Sequence, residues 1–290
     1  MANLNDIIEH LDQLPALPAS ASRLVGLLSS GCAEIGELER VIRVDEAISA
    51  AVLRCANSVR FGRPGRVFTL RESITRLGAR ALLRIALAQQ FGSVLQSAGS
   101  AYGLHRGSLW RGAMAGALAA EEIARHHGVE PDLAFLCGLL RDIGKLALDQ
   151  IVDPRELERA ADALPEEASF LEAERILVGA DHAKIGGAIA RRWGLPERIA
   201  RAIENHHEPA VIGSRDHDPL GDVVHAADVV CLWTGLATGA DGLRYPIQEH
   251  VRATCLPGRR EAESLIAKMW SRLNEIEAEL GHALSEEKRA

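Results

Sequence analysis

The stretch Gly138-Leu139-Leu140-Arg141-Asp142-Ile143-Gly144-Lys145 is the point from which this chain is best read. It lies in a segment, 131–149, whose apolar residues recur with helical spacing. Phe135, Leu139 and Leu146 share a face there with Asp142, at offsets of seven, three and four. A helix that buries this face also buries a carboxylate, which is costly without a partner. Three more segments show the same pattern. His182 lines up with Ile185, Ile189 and Trp193 in 181–193. His206 lines up with Ile199, Ala202 and Ile203 in 196–207, with His207 at the border. Asp228 lines up with Val224, Ala227 and Cys231 in 219–235. Any one of these is most simply a hydrogen-bonded core residue. Five on four helices point instead to imidazoles and carboxylates that face one another, around a cation or through direct hydrogen bonds. His207 has a second reading of equal weight, as a cap at a helix C-terminus ahead of Glu208-Pro209.

Outward from these segments, nearly all of the sequence has helical periodicity and good helix formers, and none of it reads as a strand. The fold class is all-α. Helices are expected at 19–29, 34–42, 46–57, 70–76, 79–96, 107–127, 131–149, 154–163, 168–178, 181–193, 196–207, 219–235 and 259–281. A short apolar stripe, Leu4, Ile7, Ile8 and Leu11, is stopped by Leu14-Pro15-Ala16-Leu17-Pro18, because proline cannot sit inside a helix. The small, polar run Gln96–Gly103 reads as a joint. We therefore expect an N-terminal helical half over 1–96, a second helical half over 104–236, and a C-terminal extension over 237–290. That extension opens on the glycine-rich break Thr238–Gly242 and ends in an amphipathic helix, with Leu265, Ile266, Met269, Leu273, Ile276 and Leu280 on one side.

The 290 residues are 47 % hydrophobic, enough for a sizeable core. A net charge of −7 and scattered Lys and Arg argue against nucleic acid or an anionic membrane as partner. Aromatics at 4 % leave little for base stacking. The five cysteines (Cys32, Cys55, Cys137, Cys231 and Cys255) are odd in number, widely spaced and without a CxxC, which disfavours disulfides and zinc ribbons. The acidic N-terminus lacks a signal-peptide pattern, and no apolar run approaches the ~20 residues of a membrane helix. A soluble, cytoplasmic protein is expected.

These residues, in this order, resemble the HDOD family, a branch of the HD superfamily of phosphohydrolases. In the first half the resemblance rests on Leu14-Pro15-x-Leu17-Pro18, Val41-Ile42-x-x-Asp45, Leu53-x-x-Ala56-Asn57-Ser58 with Phe61, and Leu77-Gly78. In the second half it rests on Gly138–Lys145, His182-x-x-x-Gly186, Trp193-Gly194-Leu195-Pro196 and His206-His207. It implies an HD-like helical bundle preceded by an N-terminal helical subdomain. In HD hydrolases a His-Asp pair, an earlier His and a later Asp bind metal. Members resembling the HD-GYP branch add histidines and further metals to cleave cyclic di-GMP.

This chain departs from that pattern. Arg141 stands where the His of the pair belongs, and Gly112 where the earlier His belongs. Neither can ligate a metal, since arginine is a donor only. Asp142, Lys145, His182, His206, His207 and Asp228 remain. The Gly-Tyr-Pro motif is absent, and Arg244-Tyr245-Pro246 echoes two of its letters at an unrelated place. Two pictures follow from the resemblance. One divalent ion (Fe, Mn or Zn) binds the remaining set, with Lys145 balancing charge in any residual catalysis. Alternatively, Arg141 or Lys145 takes the place of the lost metal and neutralises the acids, so that no cofactor is needed. We favour the second.

Other candidates are weaker. Gly62–Arg66 lacks the Gly-Lys-Ser/Thr of a phosphate loop and reads as a solvated turn. Ala56-Asn57-Ser58 and His126-His127 read as helix caps. The last helix is a candidate homodimer or partner surface, though packing on its own domain is the commoner fate of such a stripe. The expected function is a non-catalytic signal-transduction module that works through a protein partner, with a nucleotide as a candidate ligand of the old cleft. The alternatives are a residual metal-dependent phosphohydrolase acting on a nucleotide or cyclic dinucleotide, and a metal- or redox-sensing module.

Overall fold

A computed structural model describes residues 17–29, 35–57, 67–96, 99–165, 167–236, 238–242 and 244–280. The apolar stripe at 4–11, the first residues of the Leu-Pro motif, Cys32, Ser58, Phe61 and the 62–66 turn lie outside them. Among the described residues there are helices and no strands, as the periodicity predicts. The described residues divide into two compact units, 17–93 with 270–280, and 94–269.

The 17–93 unit holds α1 (Ala19–Ser29), α2 (Ile35–Arg43), α3 (Glu46–Ala56), α4 (Leu70–Leu77) and α5 (Ala79–Leu95, to residue 93). Its core is aliphatic, built on Leu24, Leu38, Ile42, Ile48, Leu82 and Leu87. Two polar residues from the family motifs organise it. Asp45 caps α3 through Ile48 N (3.1 Å) and accepts hydrogen bonds from Ser20 Oγ on α1 (2.9 Å) and Gln90 Nε2 on α5 (2.6 Å). Asn57 ends α3 and clamps the backbone of Val67, donating to its carbonyl (2.8 Å) and accepting from its N–H (2.7 Å). The expected capping role of Asn57 is what its side chain performs.

The 94–269 unit holds a 3₁₀ turn (Ser100–Tyr102), then α6 (Ser108–Ala124), α7 (Pro131–Leu140), α8 (Lys145–Ile151), α9 (Pro154–Asp162), α10 (Phe170–Val178), α11 (His182–Arg192), α12 (Glu197–Glu204), α13 (Pro219–Thr234) and α14 (Glu249–Thr254). α15 (Arg259–Leu280) follows. Leu265, Met269 and Leu273 of its apolar stripe are buried. α6 packs against α7 and α13, and α11 against α12. Small residues allow the first of these crossings. A Cβ on Gly138 would meet Gly116 O at 2.6 Å, so the two helix backbones approach at a point where any side chain would intrude.

The structure corrects three expectations. The helix expected over 131–149 is two helices, because α7 ends at Leu140 and α8 starts at Lys145. Between them the backbone tightens to i→i−3 bonds: Ile143 N to Leu140 O, and Lys145 N to Asp142 O, each 3.0 Å. The break lets Gly144 lie on the first turn of α11, where a Cβ would stand 1.8 Å from His182 O. The helix expected over 196–207 ends at Glu204, so His206 and His207 sit in the turn beyond it and are not stacked on a helical face. α14 had no counterpart in the sequence reading.

Replacing Gly144 with Ala forces a Cβ into a backbone carbonyl that cannot move aside. We expect a loss of about 3 kcal/mol, or roughly 6–12 °C in Tm, by thermal unfolding. Gly26→Ala on the exposed surface of α1, where a Cβ meets nothing within 4 Å, is the control and should gain about 0.5–1 kcal/mol.

Candidate functional site

Arg141, Asp142 and Lys145 leave the α7–α8 break together, and all three are at least 95 % buried. The guanidinium of Arg141 is fully engaged. Nε donates to Asp228 Oδ1 on α13 (2.7 Å), and Nη2 lies 3.2 Å from Asp142 Oδ2. Nη1 donates to the carbonyls of Gly112 (3.1 Å) and Gly138 (3.0 Å). Gly116 makes room for this group, since a Cβ there would fall 1.9 Å from Nη1. Gly112 thus contributes its carbonyl to the site. Lys145 Nζ bridges Asp142 Oδ1 (3.1 Å) and Asp241 Oδ2 (3.0 Å).

The histidines form a second cluster against these acids. His182, at the start of α11, donates Nδ1–H to Glu174 on α10 (2.9 Å), and its backbone N–H donates to the same carboxylate (2.7 Å). Tyr102 OH donates to Glu174 as well (2.7 Å). His182 Nε2 lies 3.1 Å from His207 Nε2 and 3.4 Å from Asp142 Oδ1. His206 donates Nδ1–H back to Ile203 O (2.7 Å), so it is His206 that caps α12, while His207 turns into the cluster. The His206 carbonyl is held by His225 Nδ1–H (2.7 Å), and Gln248 N–H donates to His225 Nε2 (3.0 Å). Tyr245 stacks on His207, with ring centroids 4.3 Å apart and planes 9° off parallel. Its hydroxyl donates to Asp241 (3.0 Å).

Two buried ring nitrogens, His206 Nε2 and His207 Nδ1, have no hydrogen-bond partner among the described residues. His207 Nδ1 approaches Asp228 Oδ2 only to 3.5 Å, too far to count as a bond. One ring nitrogen from each of His182, His206 and His207 lies within 4.8 Å of the others, close enough for one ion to bind all three.

The electrostatics divide along the same line. Burial raises the Asp142 carboxyl, but Lys145 and Arg141, with His182 and His206, outweigh it and hold the group below the usual carboxylate range. Burial opposes the charges of Arg141 and Lys145, yet Asp142 with Asp228 and Asp241 keeps both firmly cationic. Burial likewise lowers His182, and Glu174 more than restores it, so its net shift is upward. His206 is pulled down to about 4, chiefly by burial. His207 goes well below its ordinary value through burial and the neighbouring imidazoles. His182 Nε2 and His207 Nε2 face each other at 3.1 Å, in a chain from Glu174 through His182 and His207 toward Asp228.

Every residue singled out from the sequence (Arg141, Asp142, Lys145, His182, His206, His207 and Asp228) is found in this one site. Glu174, Tyr102, His225, Asp241 and Tyr245 were missed. Glu174 carried the same signal as the others, since it shares a helical face with Phe170 and Leu171, at offsets of four and three. Asp241 and Tyr245 lie in an irregular segment that has no periodicity to read. Tyr245 was set aside as standing at an unrelated place, and the fold corrects this by laying its ring on His207.

Comparison with known proteins places this arrangement. A protein of Treponema pallidum (strain Nichols) without an assigned function is 26 % identical over 208 residues, which is 69 % of this chain and 39 % of that protein. This chain thus spans about two fifths of that relative's length. An HDOD-domain protein of unknown function from Geobacter sulfurreducens superposes with a TM-score of 0.71 at 24 % identity, over 96 % of both chains. A protein assigned to signal transduction from Marinobacter aquaeolei VT8 superposes with a TM-score of 0.73 at 24 % identity, over 94 % of this chain and 60 % of the other. No helix among the described residues is long and apolar enough to cross a membrane. The HDOD domain pattern matches residues 14–209, and the chain belongs to the HDOD family.

Proposed function

We propose that this chain is a non-catalytic signal-transduction module that acts through protein contacts, its cleft held by side-chain cations in place of metals. One observation carries the proposal: the guanidinium of Arg141 is wedged between Asp142 and Asp228, the two acids an HD centre would give to metal. An arginine supplies the charge but cannot lower the pKa of a bound water to make hydroxide. The residues do not fit a two-metal centre. Gly112 offers no side chain, Arg141 offers only donors, and both oxygens of Asp142 and Oδ1 of Asp228 are already engaged.

A second reading, a single-ion sensing module, is favoured by the histidine trio alone. His206 presents an unpartnered, unprotonated Nε2, and His182 and His207 bring ring nitrogens to 3.1 Å, near the spacing of two ligands on one ion. Residual phosphohydrolase activity on a nucleotide or cyclic dinucleotide is less well supported, because Lys145 is itself committed to two carboxylates.

Protein purified without chelator should carry far less than one equivalent of Fe, Mn or Zn, and should not turn over bis-p-nitrophenyl phosphate or cyclic di-GMP. Stoichiometric metal with turnover abolished by His206→Ala would overturn the proposal. Stoichiometric metal without turnover would select the sensing module. Arg141→Ala should cost about 3–5 kcal/mol in urea unfolding, because it leaves buried acids uncompensated. A loss under about 0.5 kcal/mol would show that the guanidinium does not hold the cleft.

The histidines also set an acid sensitivity. The folded-state pKa of His206 lies near 4, below the ~6.5 of an unfolded chain. Its contribution is therefore complete above pH 6.5 and falls away as the pH drops toward 4, by about 3 kcal/mol in all. His207 and His225, both lowered, act in the same direction. His182, raised, acts oppositely: its contribution is present below pH 6.5 and fades as the pH rises through its folded value. Unfolding free energy should decline from pH 7 to 4.5. His206→Asn, which keeps a donor for Ile203 O, should flatten that decline, and an unchanged slope would refute the assignment.

A further inference from the structure

A cavity of about 320 Å³ opens beside the histidine turn, between α12, residues 209–219 and the start of α13. Ala202, Pro209 and Pro219 supply apolar wall, and Arg198, Arg201 and Arg215 supply three guanidinium groups. Asn205 and Pro209, both on its wall, bracket His206, His207 and Glu208 in the chain. The volume suits a small molecule, and apolar wall with a few charged groups is the usual make-up of a ligand site.

Donors and acceptors at this wall are unevenly engaged. Asp218 takes two bonds from Arg198, Nε to Oδ2 (2.7 Å) and Nη2 to Oδ1 (2.9 Å), and Oδ1 also accepts from Leu220 N–H (3.0 Å). Glu197 places both oxygens on Arg191. His217 is bonded to Asp222 (2.8 Å), which His250 also holds (3.2 Å). The acids are thus turned to donors of their own. Arg201, by contrast, uses Nη2 alone, at 3.3 Å to Asp216 Oδ1 and 3.2 Å to the Asp216 carbonyl. Asp216 is well exposed, so solvent weakens that pair and a better acceptor can replace it. Arg215 makes no hydrogen bond or ion pair among the described residues. The wall therefore holds guanidinium N–H donors that the protein itself does not satisfy. A guanidinium fork matches the paired oxygens of a carboxylate or phosphate.

We propose that this cavity binds a small organic oxyanion, a phosphate monoester or carboxylate with an apolar body. Arg201 and Arg215 take the charged end, and Ala202, Pro209 and Pro219 take the body. None of these residues belongs to the buried cleft, so the proposal stands whatever cation holds the cleft together. It gives a signalling module an input beside the turn that carries His206 and His207.

Titration of the 290-residue chain with phenyl phosphate and, separately, with benzoate, followed by amide NMR, tests the site. At least one of the two should bind saturably, with a Kd of about 1 mM or tighter. The amide signals of Ala202, Asn205, Arg215 and Gly221 should move with it. Binding of phenyl phosphate alone identifies a phosphate ligand, and binding of benzoate alone a carboxylate. Benzyl alcohol, a neutral counterpart, should bind at least about tenfold more weakly. Arg201→Gln and Arg215→Gln alter exposed side chains and should keep the wild-type Tm within about 2 °C. Each should weaken binding of the anion about fivefold or more. No saturation with either anion below about 10 mM would overturn the proposal. So would signal changes confined to residues outside the cavity, undiminished affinity in the double variant, or equal binding of benzyl alcohol.

Discussion

The site depends on one buried ion triplet, Asp142–Arg141–Asp228. Two carboxylates, one from the α7–α8 break and one from α13, each no more than 5 % exposed, need a permanent positive charge between them, because burial alone would force them to take up protons. The guanidinium supplies that charge and also satisfies two backbone carbonyls at the crossing of α6 and α7. The glycines around it follow from the same requirement. Gly116 must lack a side chain for Nη1 to be there at all, and Gly138 must lack one for the helices to come close enough. Arg141, Gly116 and Gly138 therefore act as one structural unit, and Gly112 contributes to it through its carbonyl.

Around this unit the site separates into a satisfied half and an unsatisfied half. The half built on Arg141, Lys145 and the aspartates is closed, with each charge facing an opposite one at 2.7–3.2 Å. The half built on the three histidines retains two buried ring nitrogens, His206 Nε2 and His207 Nδ1, without hydrogen-bond partners among the described residues. Buried polar groups are ordinarily bonded, so these two nitrogens are the observation on which a single-ion reading of the site rests. Arg141 thus lies between the two acids on one side of the cleft, while three imidazoles with ring nitrogens within 4.8 Å of one another line the other.

Residues that announced themselves in the sequence did so because they broke helical periodicity. Asp142, His182 and Asp228 stood on faces otherwise apolar, and that pattern survives whatever the helices pack against. Glu174 obeyed the same rule and was legible in principle. His206 was placed correctly for an incorrect reason: α12 stops before it, and its burial comes from the turn that follows, pinned by His225 and by its own bond to Ile203 O. Asp241 and Tyr245 could not be read. Their positions depend on where an irregular segment folds back, and nothing local to residues 238–246 encodes contact with Lys145 or His207.

Resemblance to the HDOD family, and not spacing, implied that Gly112 and Arg141 stand where metal ligands would. The sequence by itself determined that the chain is helical and that its polar interior lies on four particular segments. These are consequences of residue type and short-range spacing. Only the tertiary structure decided that Arg141 spans both aspartates, that the helix through Asp142 breaks so that Gly144 can seat on α11, and that a distant tyrosine and aspartate close the site. Those outcomes depend on distances between segments far apart in the chain, which are set by how closely helix backbones can approach and by which buried charges must meet.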